Sequence, residues 1–194
     1  MSRPIRAFFA IELQDKKLIY SIGKLQDKLS SIIERLKLVE LENIHMTLRF
    51  LGDISEESAK KLYNFLEEDI NSHFFEDGSI EFFVQRLSDF SKKVFHLGLK
   101  GPVSVLREIH DAIDEKLVSD FGFEKDQKFK THITIARAHP PNKGRPSAQF
   151  PSVAYQALKK EYEAMELGSF TVSKVYLKKS ILTPQGPIYS NLQF

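Results

Sequence analysis

Apolar side chains recur along this chain at two spacings, every second position in some segments and every third or fourth in others. Residues 5–11 (IRAFFAI) are dense in aromatic and β-branched side chains and predict a buried strand. From 15 to about 38, Ile19, Ile22, Leu25, Leu29, Ile32, Ile33 and Leu36 fall at helical steps and predict a helix. Residues 44–51 return to alternation and close at Gly52-Asp53. Ser55 then stands as an N-cap for a second helix with the apolar stripe Leu62, Phe65, Leu66 and Ile70. Two strands, 79–85 and 94–99, are separated by a polar turn at 88–93, and a helix follows from 103 to about 118. Residues 131–137 predict another strand. The prolines of 139–146 (HPPNKGRP) forbid a helix or a central strand, so this segment is a loop. A short helix over 152–162 and two closing strands, 170–177 and 188–192, with a turn at 183–187 between them, complete the chain.

The resulting order is β-α-β-α-β-β-α-β-α-β-β, with a corresponding strand after a helix in each half. It predicts one α+β domain over 1–194, built as two lobes from degenerate copies of one unit. The antiparallel sheets face each other across a central groove and the helices lie outside. A chain that is 42% hydrophobic and 28% charged belongs to the globular class, which excludes disorder as a reading. The formal charge of +2 is too small for a general nucleic-acid coat and leaves room for a local basic groove. There are no cysteines, so disulfides, thiolate metal sites and a cysteine nucleophile are excluded. The opening MSRPIRAFFAIEL is too short and too alternating for a signal peptide, and no apolar run approaches the roughly 18 residues of a membrane span. The expectation is a cytoplasmic monomer with no membrane attachment.

The two strands at 44–51 and 131–137 share one phrase. His45-Met46-Thr47-Leu48 and His132-Ile133-Thr134-Ile135 are both His-apolar-Thr-apolar. In a strand, successive side chains point to opposite faces, so each phrase presents a His and a Thr together and hides its apolar pair. Two such strands facing one groove bring two imidazoles and two hydroxyls to a shared site. An imidazole can take or give a proton near neutral pH, and two can do both in one reaction. The hydroxyls suit the non-bridging oxygens of a phosphate. In-line displacement at phosphorus has its entering and leaving oxygens on opposite sides, which matches a His on each side of a bound phosphodiester. This scheme uses no metal, and the sequence carries no metal-ligand spacing.

These motifs, extended as His45-Met46-Thr47-Leu48-Arg49-Phe50-Leu51-Gly52 and His132-Ile133-Thr134-Ile135-Ala136-Arg137, resemble the paired signatures of the 2H phosphoesterases. The match is closest to the RNA 2',3'-cyclic phosphodiesterases, also called 2'-5' RNA ligases, and it covers nearly the whole chain. Arg6 to Ile11 resembles the family's first strand, and Leu177 to Tyr189 its C-terminal hairpin. The resemblance implies the two-lobed 2H fold and hydrolysis of 2',3'-cyclic phosphate ends to 2'-phosphomonoesters, with reversible 2'-5' joining in some members. It implies RNA ends or tRNA fragments as partners and no cofactor. It makes His45 the proton donor and His132 the proton acceptor, with Thr47, Thr134 and Arg137 on phosphate. Phe50 stands where a base could stack.

Strict alternation works against two of these residues. Arg137 and Phe50 each lie five positions past their histidine, so an unbroken strand turns them away from the groove. They reach it only if the strands end or bulge first. Arg49 is on the favoured parity and is therefore a rival phosphate or RNA contact. Thr131 stands where the family more often has Pro, and His96 where an aromatic is usual; His96 alternates toward the groove. His73 and His110 read as surface residues. His139, Lys143 and Arg145 in the Pro-rich loop are further candidate contacts for RNA phosphates. Two other functions compete: a phosphodiesterase acting on a small nucleotide, such as cyclic ADP-ribose phosphate or 2'-5' oligoadenylate, and a non-catalytic module that binds RNA ends.

Overall fold

The computed structural model describes residues 3–139, 152–184 and 186–194. Its first strand, β1 (Ile5–Glu12), leads into helix α1 (Lys16–Ile32). Asp15 caps that helix by accepting a hydrogen bond from the Leu18 amide at 2.7 Å. The helix stops six residues before the sequence pattern expects. Arg35 adopts a left-handed backbone (φ 62°) and turns the chain into a short strand, β2 (Leu36–Leu38). Leu36 continues the i, i+4 spacing of Ile32, so a strand residue here mimics one more helical turn.

Strand β3 (His45–Ile54) carries the first motif and is followed by α2 (Glu56–Phe65), capped by Ser55 as expected. A π-helical turn (Leu66–Asn71) and a last turn, α3 (Ser72–Phe74), extend it. The hairpin β4 (Ile80–Phe90) and β5 (Val94–Lys100) has a tighter turn than predicted, because Ser91 and Lys92 both take left-handed φ. Helix α4 (Val103–Phe121) ends at Gly122, whose φ of 70° suits a residue without a β-carbon. Then come β6 (Ile133–Ala138), α5 (Ser152–Glu161), β7 (Glu166–Val172), β8 (Tyr176–Leu182) and β9 (Pro187–Asn191). The single strand predicted over 170–177 is therefore two. The chain crosses from one sheet to the other between them, and the crossing is held by Asn71, which bonds both the amide and the carbonyl of Val175.

The strands form two antiparallel sheets, ordered β3-β1-β8-β9 and β2-β6-β5-β4-β7. Each has a groove face and a helix face. Ala7, Phe9, Ile11, Met46 and Leu177 fill the helix face of the four-stranded sheet, where α4 packs on β3. Phe82, Val84, Phe95, Leu97, Ile133 and Phe170 do the same in the five-stranded sheet, under α1 and α5. This burial drives the fold, at about 25 cal/mol per Å² of apolar surface. It leaves the two groove faces to polar chemistry. No helix among the described residues is long and apolar enough to cross a membrane.

Candidate active site

The groove holds a cavity of about 200 Å³ lined by both sheets. Strand β3 and its approach supply Asn43, His45, Thr47 and Phe50. Thr134 and Arg137 come from β6, and His132 stands immediately before that strand. Residues 37–40, Pro187 and Tyr189 complete the wall. Both histidines, both threonines, Arg137 and Phe50 thus share one space. Arg49 does not.

Two β-bulges explain that sorting. Along β1, Ala10 pairs with Thr47 but Phe9 pairs with Arg49, so Leu48 is an extra residue. Along β5, His96 pairs with Thr134 but Phe95 pairs with Ala136, so Ile135 is the extra one. A one-residue bulge reverses the facing of everything after it. Each falls on the last residue of its motif, and each sends the residue five past the histidine into the groove. In β3 the bulge also turns Arg49 to the helix face. There its Nε donates to Asp114 of α4 at 2.9 Å, and its guanidinium also bonds the carbonyl of Glu124. Arg49 is thus a structural tie, not a phosphate contact; the expectation failed because it assumed unbroken alternation. Gln26 of α1, itself buried, donates to the carbonyl of Ile135 at 2.8 Å and to that of Val39 at 2.7 Å, which satisfies backbone at the second bulge.

The two imidazoles are held alike. His45 Nδ1 lies 2.7 Å from the carbonyl oxygen of Asn43, and His132 Nδ1 lies 2.6 Å from that of Lys130. A carbonyl oxygen only accepts, so both Nδ1 atoms carry a hydrogen and both Nε2 atoms are free for chemistry. Thr47 Oγ1 sits 2.9 Å from His45 Nε2. When His45 is neutral, Thr47 donates to it. When His45 is protonated the bond reverses, and the Thr47 hydroxyl hydrogen becomes available to a phosphate oxygen. Burial holds both imidazoles below the ordinary histidine value; the carbonyl bonds act in the opposite direction, and the Arg137 charge depresses both further. Lys178 also lowers His45, while Glu12 raises it.

Aromatic rings frame the first histidine. Phe8 and Tyr189 pack on His45 with centroids 5.2 and 5.3 Å away, Tyr189 edge-on. Burial pushes the Tyr189 phenol up, so near neutral pH it is a neutral donor. Tyr189 and Lys37 are cavity residues that sequence reasoning missed. Their facing depends on which strands lie side by side, and no local pattern reports that. Phe50 is 63% exposed at the cavity mouth.

His96 reaches the groove face as its alternation implied, behind His132. It stacks on Phe90 at 4.1 Å and meets the His132 ring at 5.4 Å. Among the described residues its buried ring nitrogens have no hydrogen-bond partner, and burial lowers it to about 4. His110 is not a surface residue. It is 2% exposed, stacked on Phe129 at 4.0 Å and bonded to Asp111, because its helix face packs under the 123–129 segment. His139 is exposed; residues 140–146, with Lys143 and Arg145, lie outside the described residues. Among the described residues no group of three or more His, Cys, Asp or Glu side chains could hold a metal ion.

A family model described as the AKAP7 2'5' RNA ligase-like domain matches residues 7–192. The chain belongs to this family. It is 34% identical over 180 residues to an RNA 2',3'-cyclic phosphodiesterase of Aeropyrum pernix, covering 90% of this chain and 94% of that protein. It is 30% identical over 193 residues to the enzyme of the same name from Methanothermobacter thermautotrophicus, covering 97% of each. The crystal structure of E. coli LigT in apo form superposes with a TM-score of 0.69 at 21% identity, covering 99% of this chain and 96% of that one. This shared fold confirms the two-lobed α+β architecture.

Proposed function

We propose that this member of the family is an RNA 2',3'-cyclic phosphodiesterase that leaves a 2'-phosphomonoester, with reversible 2'-5' joining as the same displacement made by a 5'-hydroxyl in place of water. The observation that carries the mechanism is the pair of imidazoles in one cavity, each with Nδ1–H fixed on a backbone carbonyl and Nε2 turned to the reaction. His132 Nε2 takes a proton from water as the water oxygen bonds to phosphorus. The bond from phosphorus to O3' breaks on the opposite side, and protonated His45 gives its Nε2 hydrogen to that oxygen. Each proton transfer contributes about 10²–10⁴-fold. Thr47, Thr134 and Arg137 hold the non-bridging oxygens, in place before the reaction begins. Phe50 offers a ring face to a base of the RNA near its reacting end.

No step in this scheme calls on a metal or cofactor. The relatives' names favour RNA ends over a small nucleotide, and a complete two-histidine set favours turnover over binding alone. The same reading takes the chain, 1–194, as one bilobal unit and a cytoplasmic monomer, which gel filtration and imaging of a tagged chain test. For the activity, RNA ending in a 2',3'-cyclic phosphate is incubated with enzyme in EDTA and the product examined by phosphorus NMR. A 2'-phosphate supports the reading. A 3'-phosphate, or activity lost in EDTA and restored by Mg²⁺ or Mn²⁺, overturns it.

A further inference from the structure

The catalytic cavity, at about 200 Å³, is smaller than the roughly 300–1,000 Å³ typical of small-ligand pockets. It closes around a phosphate and leaves much of the attached nucleoside to the surfaces beside it. A second pocket of about 390 Å³ adjoins it and shares Asn43, His45 and Tyr189 as a common wall. Its other lining residues include Glu12, Gln14, Glu42, Lys178, Ser190 and Asn191, and none belongs to the five-stranded sheet. It therefore lies on the His45 side of the groove, away from His132.

We propose that this second pocket receives the nucleoside bearing the cyclic phosphate, and that Glu42 makes it select bases that present an amino group. The inference rests on the proposed roles of the two histidines. With water entering from the His132 side, the breaking bond points at His45, so O3' and the ribose it belongs to lie on the side of that pocket.

The pocket's chemistry suits a neutral, hydrogen-bonding occupant. Its floor is a preset network: Lys178, only 8% exposed, bonds Glu12 and donates to Asn191 at 2.7 Å, and Gln14 donates to Glu12 at 3.1 Å. Glu42, at the exposed rim, makes no such bond among the described residues. The two carboxylates offset Lys178 and, in the proposed scheme, protonated His45, so the pocket has no surplus positive charge to draw a backbone phosphate, and Glu42 favours N–H donors. A carboxylate accepts from the amino group of cytosine but faces a carbonyl oxygen at the same position of uracil. Phe50, on the other rim of the cavity, is left for the neighbouring base.

Cytidine and uridine 2',3'-cyclic monophosphates make the test: position 4 is an amino donor in one and a carbonyl acceptor in the other, and the adjoining N3 changes from acceptor to N–H. The wild-type enzyme should show a kcat/KM about tenfold higher for the cytidine substrate. E42Q, whose amide can both donate and accept, should bring the ratio close to one. Equal wild-type rates, or a preference unchanged in E42Q, overturn the proposal. Titration with 2'-CMP, followed by amide NMR shifts, tests the pocket independently of turnover. Shifts at Gln14, Ser190 and Asn191 support it, and shifts confined to Lys37–Glu40 and Phe50 overturn it. Loss of the catalytic reading and loss of the pocket are thus separate results.

Discussion

Strands β3 and β6 carry the same phrase, the same bulge and the same carbonyl anchor two residues before the histidine, yet they end in opposite chemistry. Five residues past its histidine, β3 presents Phe50 and β6 presents Arg137. One residue earlier, β3 turns Arg49 onto buried Asp114, whereas β6 has Ala136 packed in the core. The first strand thus joins an aromatic surface to an internal ion pair, and the second brings a cation to the cavity, where the proposed scheme puts the phosphate. Shared geometry places the reacting groups; the residues that differ set what each side holds.

The largest test of this division uses the histidines themselves. His45→Ala and His132→Ala should each lower kcat by about 10²–10⁴-fold on RNA. A substrate with a weakly basic aryl oxide leaving group needs no protonation as it departs. On it His45→Ala should recover much of its rate and His132→Ala should not. The opposite pattern would exchange donor and acceptor.

Arg49→Ala sharpens the contrast between the two faces of β3. It leaves Asp114 buried with the Asp126 amide and no cation, which should cost about 3 kcal/mol in urea unfolding. At temperatures where the variant is folded, kcat should stay within about twofold of wild type. A large kcat loss with unchanged stability would return Arg49 to the phosphate.

The residues five past each histidine come next. Arg137→Ala should reduce kcat/KM by about 10–100-fold, as expected for a charged hydrogen bond, and weaken the dependence on salt. Phe50→Ala should cost about tenfold on RNA through KM, with the salt dependence intact, because stacking is not ionic. Identical salt profiles in both variants would break the comparison.

The smallest effect is in pH. The proposed scheme needs His132 neutral and His45 protonated, and both lie below 6.5 in the free protein because burial disfavours their charge. The rate falls at low pH as His132 gains a proton and at high pH as His45 loses one. The kcat/KM bell should therefore centre below 6.5, with apparent values that belong to the pair. Arg137→Met removes a cation that depresses both, so the bell should move toward higher pH. Movement to lower pH would contradict the assigned electrostatics.

The convergence of the two His-x-Thr pairs on one cavity was legible because they lie before the bulges, where period-two counting holds. Past Leu48 and Ile135 counting fails, which misplaced Arg49 and set alternation against Phe50 and Arg137. Asp15 and Ser55 were readable as starts of helices because caps are local. The end of α1 was not, since Leu36 fits a helical stripe and a strand equally. Tyr189, Lys37 and the Glu12–Lys178 pair depend on strand order, which joins residues up to 166 positions apart.

The anchoring of both imidazoles on main-chain carbonyls has an evolutionary consequence. A tautomer fixed by a side-chain carboxylate would be lost with that residue, so selection would have to keep it. Here the acceptors are the peptide oxygens of residues 43 and 130, which every amino acid brings. Position 130 is therefore free to drift in sequence without disturbing the protonation pattern of its histidine. A library randomised there should yield active clones across polar, charged and small residues alike, provided the backbone keeps its path into β6.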